Sequence, residues 1–140
     1  MADDNPSIIS HVSLGTNRFP EARTFYERVL KTLGCRIVME HPGAAAFGKA
    51  FPEFWIQTPY DGGNASCGNG VHISFNAASK AEVDAFFAEA LAAGAREDGK
   101  PGFRPDYSDA YYGCFVRDLD GHKIEAMCWD MDVARKLGLA

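Results

Sequence analysis

Two histidines, a glutamate and a glutamine carry the chemistry that this sequence offers. His11 and His72 occupy matching runs, Ser10-His11-Val12-Ser13-Leu14 and Val71-His72-Ile73-Ser74-Phe75, and Gln57 and Glu125 close the similar runs Trp55-Ile56-Gln57 and Lys123-Ile124-Glu125. Side chains alternate between the faces of a strand. If Val12, Leu14, Ile73, Phe75, Ile56 and Ile124 pack inward against helices, then His11, Ser13, His72, Ser74, Gln57 and Glu125 take the opposite face. Convergent imidazoles and a carboxylate supply the neutral nitrogens and anionic oxygen that a divalent metal needs, with positions left for water or substrate. The expected ligands are His11, His72 and Glu125, with Gln57 as an optional fourth. Nitrogen and oxygen donors suit Zn, Ni, Mn, Co and Fe alike, so one divalent ion is expected and its element is left open.

The elements that would position these groups form a repeat. The offset of 61 residues between His11 and His72 also carries Glu21 onto Glu82, Phe25 onto Phe86, Tyr26 onto Phe87 and Leu30 onto Leu91. Ala22, Phe25, Tyr26, Val29, Leu30 and Leu33 follow the spacing of one buried helical stripe, and Val83, Phe86, Phe87, Ala90 and Leu91 repeat it. Pro20 suits a first helical turn, Ser79-Lys80-Ala81-Glu82 is a capping box, and Gly34 and Gly94 mark the ends. Strand-like runs follow each helix: Cys35–Glu40, Ala44–Phe47 and Phe54–Thr58 in the first half, Tyr111–Arg117 and Lys123–Trp129 in the second. Asp118-Leu119-Asp120-Gly121 reads as a hairpin turn. Residues 95–109, with two Gly and two Pro, read as a loop over the site in place of a strong strand, and absorb the seven residues by which the second half is longer. The fold class is therefore α+β: paired βαβββ modules forming a curved, partly closed mixed sheet with helices outside. One domain spans residues 1–140, with module one at about 8–60, a Gly- and Asn-rich linker at 61–69, module two at about 70–130 and a C-terminal tail at 131–140.

Further candidates surround the four polar residues. Trp55 shares the face of Gln57 and offers an aromatic wall. Arg104, Tyr107, Tyr111 and Tyr112 cluster on and after the Gly/Pro-rich loop, where Arg and Tyr would suit an anionic or carbonyl-bearing ligand. His41 and His122 lie in turn contexts and are expected to face solvent. The four cysteines, Cys35, Cys67, Cys114 and Cys128, form no Cys-x-x-Cys pair and read as reduced thiols in the core or at an interface.

The runs Ser10–Leu14, Phe25-Tyr26, Gly70–Ile73 and Phe115–Glu125, above all Asp118-x-Asp120-Gly121-x-x-Ile124-Glu125, resemble the vicinal oxygen chelate superfamily over about residues 8–130. That superfamily includes glyoxalase I, bleomycin and fosfomycin resistance proteins and extradiol dioxygenases. The resemblance implies paired βαβββ modules, commonly in a homodimer, with a metal held by His11, His72 and Glu125 and with Gln57 at the optional fourth position. The sequence departs from glyoxalase I at three places. Gln57 stands where that enzyme usually has Glu, Gly15 where it has a basic residue for the glutathione carboxylate, and Asp61 is an unexpected neighbour for an anionic thiol. Lactoylglutathione is therefore not carried over as substrate.

Three functions follow as expectations. The first is a metal-dependent lyase or isomerase of glyoxalase type acting on a small oxygen-bearing substrate, in which the cation stabilises an enediolate and Glu125 doubles as catalytic base. An Fe(II) ring-cleaving dioxygenase with the same His/His/Glu set is the second. The third, a non-enzymatic drug-binding or resistance protein, is disfavoured by the intact ligand set. The remaining composition narrows the partners. With 140 residues, 46% hydrophobic, the chain can bury about two-thirds of its unfolded surface without disulfides or a structural metal. Nineteen acidic against 14 basic residues, the latter scattered singly, argue against nucleic acid or an anionic membrane. No apolar run approaches membrane-spanning length, and the acidic start Met1–Asn5 lacks a secretory pattern, so a cytoplasmic protein acting on a small molecule is expected.

Overall fold

The computed structural model describes residues 6–139, so the Met1–Asn5 leader reading lies outside the described residues. The chain runs β1 (Val12–Gly15), α1 (Phe19–Lys31), β2 (Arg36–His41), β3 (Ala44–Gly48), β4 (Phe54–Gln57), β5 (His72–Asn76), α2 (Lys80–Ala92), β6 (Arg96–Phe103), β7 (Tyr111–Arg117), β8 (Lys123–Trp129) and α3 (Met131–Lys136). Both halves are βαβββ units. Each makes a four-stranded sheet, in the orders β1-β4-β3-β2 and β5-β8-β7-β6, with the first pair parallel and the others antiparallel. The pairing gives two mixed sheets rather than one closed surface.

The helices form where the stripes predict. Pro20 lies in the first turn of α1, and Ala22, Phe25, Tyr26, Val29 and Leu30 are buried along one side. In α2 the Ser79 side chain accepts from the Glu82 amide at 3.1 Å while Glu82 accepts from the Ala78 amide at 2.9 Å, two orphan donors satisfied at once. Leu91 falls outside the buried stripe, being 37% exposed. One apolar core serves both halves: the α1 stripe, Val83, Phe86 and Ala90 of α2, and Ala45, Phe47, Phe54, Ile56, Cys114, Val116, Ile124 and Ala126 from the sheets. Burying each large side chain stabilises by about 1.5–3 kcal/mol, so the modules hold each other folded. Phe54 meets Phe75 edge-on at 5.0 Å, and Arg28 of α1 pairs with Glu89 of α2 at 2.8 Å.

One expectation about the second half is corrected. Residues 96–103 form a strand, and its ladder with β7 slips between Glu97 and Gly99 and again between Gly99 and Gly102. These irregularities accommodate Gly99, Pro101 and Gly102, which read as breakers in the sequence. The second half's extra length falls in this longer strand and in the 104–110 connection. The tail also contains α3, capped by Asp130, whose carboxylate accepts from the Asp132 and Val133 amides.

His122 is corrected as well. It is 7% exposed, and its Nε2 donates to the Gly15 carbonyl at 2.7 Å, tying the β7–β8 turn to the end of β1. The turn is fixed by Asp118, whose carboxylate accepts from the amides of Asp120 and His122 and from the Tyr26 hydroxyl of α1. Burial pushes the Asp118 carboxyl above the usual range. The Asp-x-Asp-Gly segment thus joins the modules. Gly121 takes φ of +95°, a conformation other residues rarely adopt.

Candidate functional site

Each sheet has a face turned away from the helices, and the polar candidates lie there. On the first sheet the ladders put Ser13, Gly15, Trp55, Gln57, Ala44, Ala46, Met39 and His41 on this open face, with His11 one residue before β1. On the second, the same alternation collects His72, Ser74, Glu125, Met127, Trp129, Tyr111, Gly113 and Phe115.

Glu125 is the centre of the second face. It is 1% exposed, and its two oxygens are differently engaged. Oε1 lies 3.2 Å from Nε2 of His72, whose ring is open to solvent. Oε2 accepts from the Tyr111 hydroxyl at 2.6 Å. Burial, followed by the bond to Glu125 and its charge, pushes the Tyr111 hydroxyl well above the ordinary phenol value, so it holds its proton and acts as a donor. Tyr111 is braced edge-on by Tyr107 at 5.1 Å and Trp129 at 5.5 Å. Gly113 makes room for the pair: a Cβ there would stand 3.1 Å from Oε2 of Glu125, 3.2 Å from the Ala126 carbonyl and 3.3 Å from Cε1 of Tyr111.

The candidates separate in four ways. His72, Glu125, Tyr111 and Tyr107 come together. Arg104 lies nearby, its guanidinium 5.5 Å from the Phe115 ring. Tyr112 does not join them, and this corrects its assignment: it faces the helix side of β7, where its hydroxyl bonds to Asp84 of α2 at 2.7 Å. Strand alternation alone separates it from Tyr111. His11, Gln57 and Trp55 belong to the first sheet, and His11 Nδ1 bonds its neighbour Ser10 Oγ at 2.9 Å. Among the described residues no three His, Cys, Asp or Glu side chains are grouped to hold a metal, so one chain does not unite His11 with His72 and Glu125.

Register changes the apparent symmetry of the halves. Glu125 pairs with Ser74, two residues along from His72. Gln57 pairs with Gly15, four residues along from His11, and it is Trp55 that pairs with Ser13. At about 3.3 Å per residue, Gln57 stands about 13 Å along the strand from His11, against about 7 Å for Glu125 and His72. Trp55 is thus the counterpart of Glu125. The sequence reading also missed His41, which is exposed as expected but stacks on Trp55 with ring centres 6.0 Å apart and planes 5° apart. Ala44 and Ala46 between them leave the space, and their small size is the signal that could have been read.

A family model described as the Glyoxalase/Bleomycin resistance protein/Dioxygenase superfamily matches residues 8–126. The chain belongs to this superfamily. The glyoxalase/bleomycin resistance protein from Albidiferax ferrireducens is 35% identical, with a TM-score of 0.80 over 87% of this chain and 98% of that one. A lactoylglutathione lyase from Agrobacterium tumefaciens, 22% identical, superposes with a TM-score of 0.62 over 90% of this chain and 96% of its own. A glyoxalase-related enzyme from Fulvimarina pelagi, 18% identical, gives 0.67 over 89% and 88%. These two likenesses show the fold. No curated protein matches the chain. Glyoxalase-superfamily architecture accounts for the two βαβββ modules and places Glu125 on the last strand of the second.

Two concavities lie away from the open faces, one in a groove beside α1 and the Ala93-Gly94 turn, the other in a small cleft between modules at Cys67 and His122. Among the described residues no helix is long and apolar enough to cross a membrane, and all four cysteines are free thiols.

Proposed function

We propose that this superfamily member is a metal-dependent enzyme of glyoxalase type, and that its reactive group is Glu125. The observation that carries this reading is a fully buried carboxylate whose Oε1 lies 3.2 Å from the Nε2 of an accessible histidine, on a face with a bracing tyrosine and a glycine notch. The donors fit a divalent cation, since a buried anion beside imidazole nitrogen is the environment such ions take. His72 and Glu125 would hold it, and His11 would complete the set from a second copy in a homodimer that lays the first sheet of one chain over the second sheet of its partner. Support for that arrangement is the exposure of Met39, Tyr107 and Trp129 on the two open faces.

A bound divalent cation supplies Lewis acidity, polarising a substrate carbonyl so that the neighbouring C–H becomes acidic. Within this chain the work divides by atom. Tyr111 occupies Oε2 and fixes the carboxylate plane, which leaves Oε1 to serve as ligand and, when released from that role, as the proton acceptor. Trp129 and Tyr107 hold the Tyr111 ring in place, and Trp55 with His41 forms an aromatic wall on the facing sheet.

The register favours a second reading. With Gln57 displaced from the position equivalent to Glu125, the set reduces to two histidines and one carboxylate, which leaves open positions of the kind that Fe(II) oxygenases use. Metal analysis of the reconstituted protein tests both readings. Stoichiometric metal in the wild type, lost in His72→Ala, Glu125→Ala and His11→Ala, is expected; its absence from the wild type overturns both. An aerobic and anaerobic screen on 2-oxoaldehyde–thiol adducts and catechols then separates them, and oxygen-dependent turnover of catechols would refute the glyoxalase reading.

A further inference from the structure

Phe115 lies on the open face directly opposite Glu125 in the β7–β8 ladder, 6% exposed, and basic groups cover it. The Lys123 ammonium stands 4.7 Å from its ring centre and the Arg104 guanidinium 5.5 Å. The His72 ring meets it edge-on at 5.9 Å, so this cover adjoins the Glu125 site. We propose that Arg104 and Lys123 form an anion subsite over Phe115, and that the substrate taken at Glu125 carries a carboxylate or phosphate group one residue-width away. This rests on the reading of Glu125 and His72 given above and adds the substrate's charge to it.

Three observations support the subsite. First, Arg104 is positioned without being neutralised. Its Nη1 and Nη2 donate to the carbonyls of Gly102 at 3.1 Å and Lys100 at 2.7 Å, with a longer bond to Phe103 at 3.4 Å. Carbonyls orient a guanidinium but do not cancel its charge, and among the described residues no carboxylate lies within ion-pair distance of it. One Nη2 hydrogen and the Nε hydrogen are left to donate. Second, Lys123 is weakly matched: its nearest carboxylate, Asp98, is 3.9 Å away and already bonded to Arg117 at 2.9 Å. Third, the backbone makes room. Gly99 lies opposite Phe115 in the ladder, and a Cβ there would stand 3.3 Å from Nη2 of Arg104 and 3.0 Å from Cδ2 of Phe115. The bulged course of β6, with its glycine, thereby leaves room for the guanidinium beside the ring. In a chain of net charge −5, this local excess of positive charge beside a buried carboxylate is a recognition feature.

The test uses the full chain, dialysed free of metal, with amide and Arg Nε–H signals followed by NMR during titration with inorganic phosphate and, separately, with succinate. Saturable shifts at Gly99, Phe115 and Arg104 are expected, weakening at high salt. The tighter anion identifies the group. Lys123→Met should weaken binding by about tenfold and Lys123→Arg should restore it, while Arg104→Gln should abolish it. Because Arg104 also fastens the β6–β7 connection, Lys123→Met, which removes no backbone bond, is the deciding variant. Shifts that fail to saturate, or that are unchanged in Lys123→Met, overturn the subsite. A parallel metal titration keeps the two readings apart: metal binding without anion binding refutes the subsite alone, and anion binding without metal binding refutes the metal centre alone.

Discussion

Replacing Tyr111 by Phe removes one oxygen and leaves the ring that Tyr107 and Trp129 brace. What is lost is the 2.6 Å bond to Oε2 of a carboxylate that is 1% exposed. A hydrogen bond to a charged group contributes about 1.5–3 kcal/mol, and its loss here also leaves a buried oxygen without its donor. With Glu125 1% exposed, water does not readily replace that donor, and about 2 kcal/mol of stability, within that range, should go. With a urea m-value of about 2 kcal/mol/M, the unfolding midpoint falls by about 1 M. Equilibrium unfolding at neutral pH, read by tryptophan fluorescence, measures it. A double-mutant cycle with Glu125→Gln assigns the loss to the pair, and a coupling above about 1 kcal/mol is expected. A loss below about 0.5 kcal/mol, or an additive cycle, would refute the claim that the Tyr111 hydroxyl holds the Glu125 carboxylate.

Three further outcomes follow from the same structure. His122→Ala strips the Gly15 carbonyl of its 2.7 Å donor and should cost about 1–3 kcal/mol in urea unfolding, whereas His41→Ala, whose ring is exposed, should cost less than half as much. Burial and the bond to Asp84 push Tyr112 up to about 12. A folded pKa raised above the free value of 10 gives stability that is whole below pH 10 and lost as pH rises toward 12, so Tyr112→Phe should flatten the alkaline fall measured by denaturation at several pH values. Burial pushes the Cys114 thiol up to about 12, and it lies inside the core, so iodoacetamide at pH 8 should label Cys67 first and reach Cys114 only in denaturant; early labelling of Cys114 would contradict its packing.

Period-two alternation made much of the architecture legible. It placed Val12, Leu14, Ile56 and Ile124 against the helices and put His72 and Glu125 on the far side, and the same rule applied to 111–117 would have parted Tyr111 from Tyr112. Strand β6 was hidden because its glycines and proline are breakers by composition and become tolerable only as bulges against a formed partner. His122 was hidden because a turn motif looks solvated until another module is seen to cover it. The displaced Gln57 was hidden for a different reason: similar tripeptides align by residue type, while register is set by ladders and by turn geometry that no tripeptide encodes.

The irregular β6 also bears on how copies of this chain can meet. It is the outer strand of its sheet, and Pro101 offers no N–H while its two slips break the row of free backbone groups into short, misaligned stretches. On the other sheet, outer strand β2 slips between Ile37 and Met39. An incoming strand therefore finds no continuous template on β6 or on β2, and side-by-side growth into a longer sheet or fibre is discouraged there. Association is steered away from those two strands, which leaves the broad faces and the opposite edges, β5 and β1, to meet another copy.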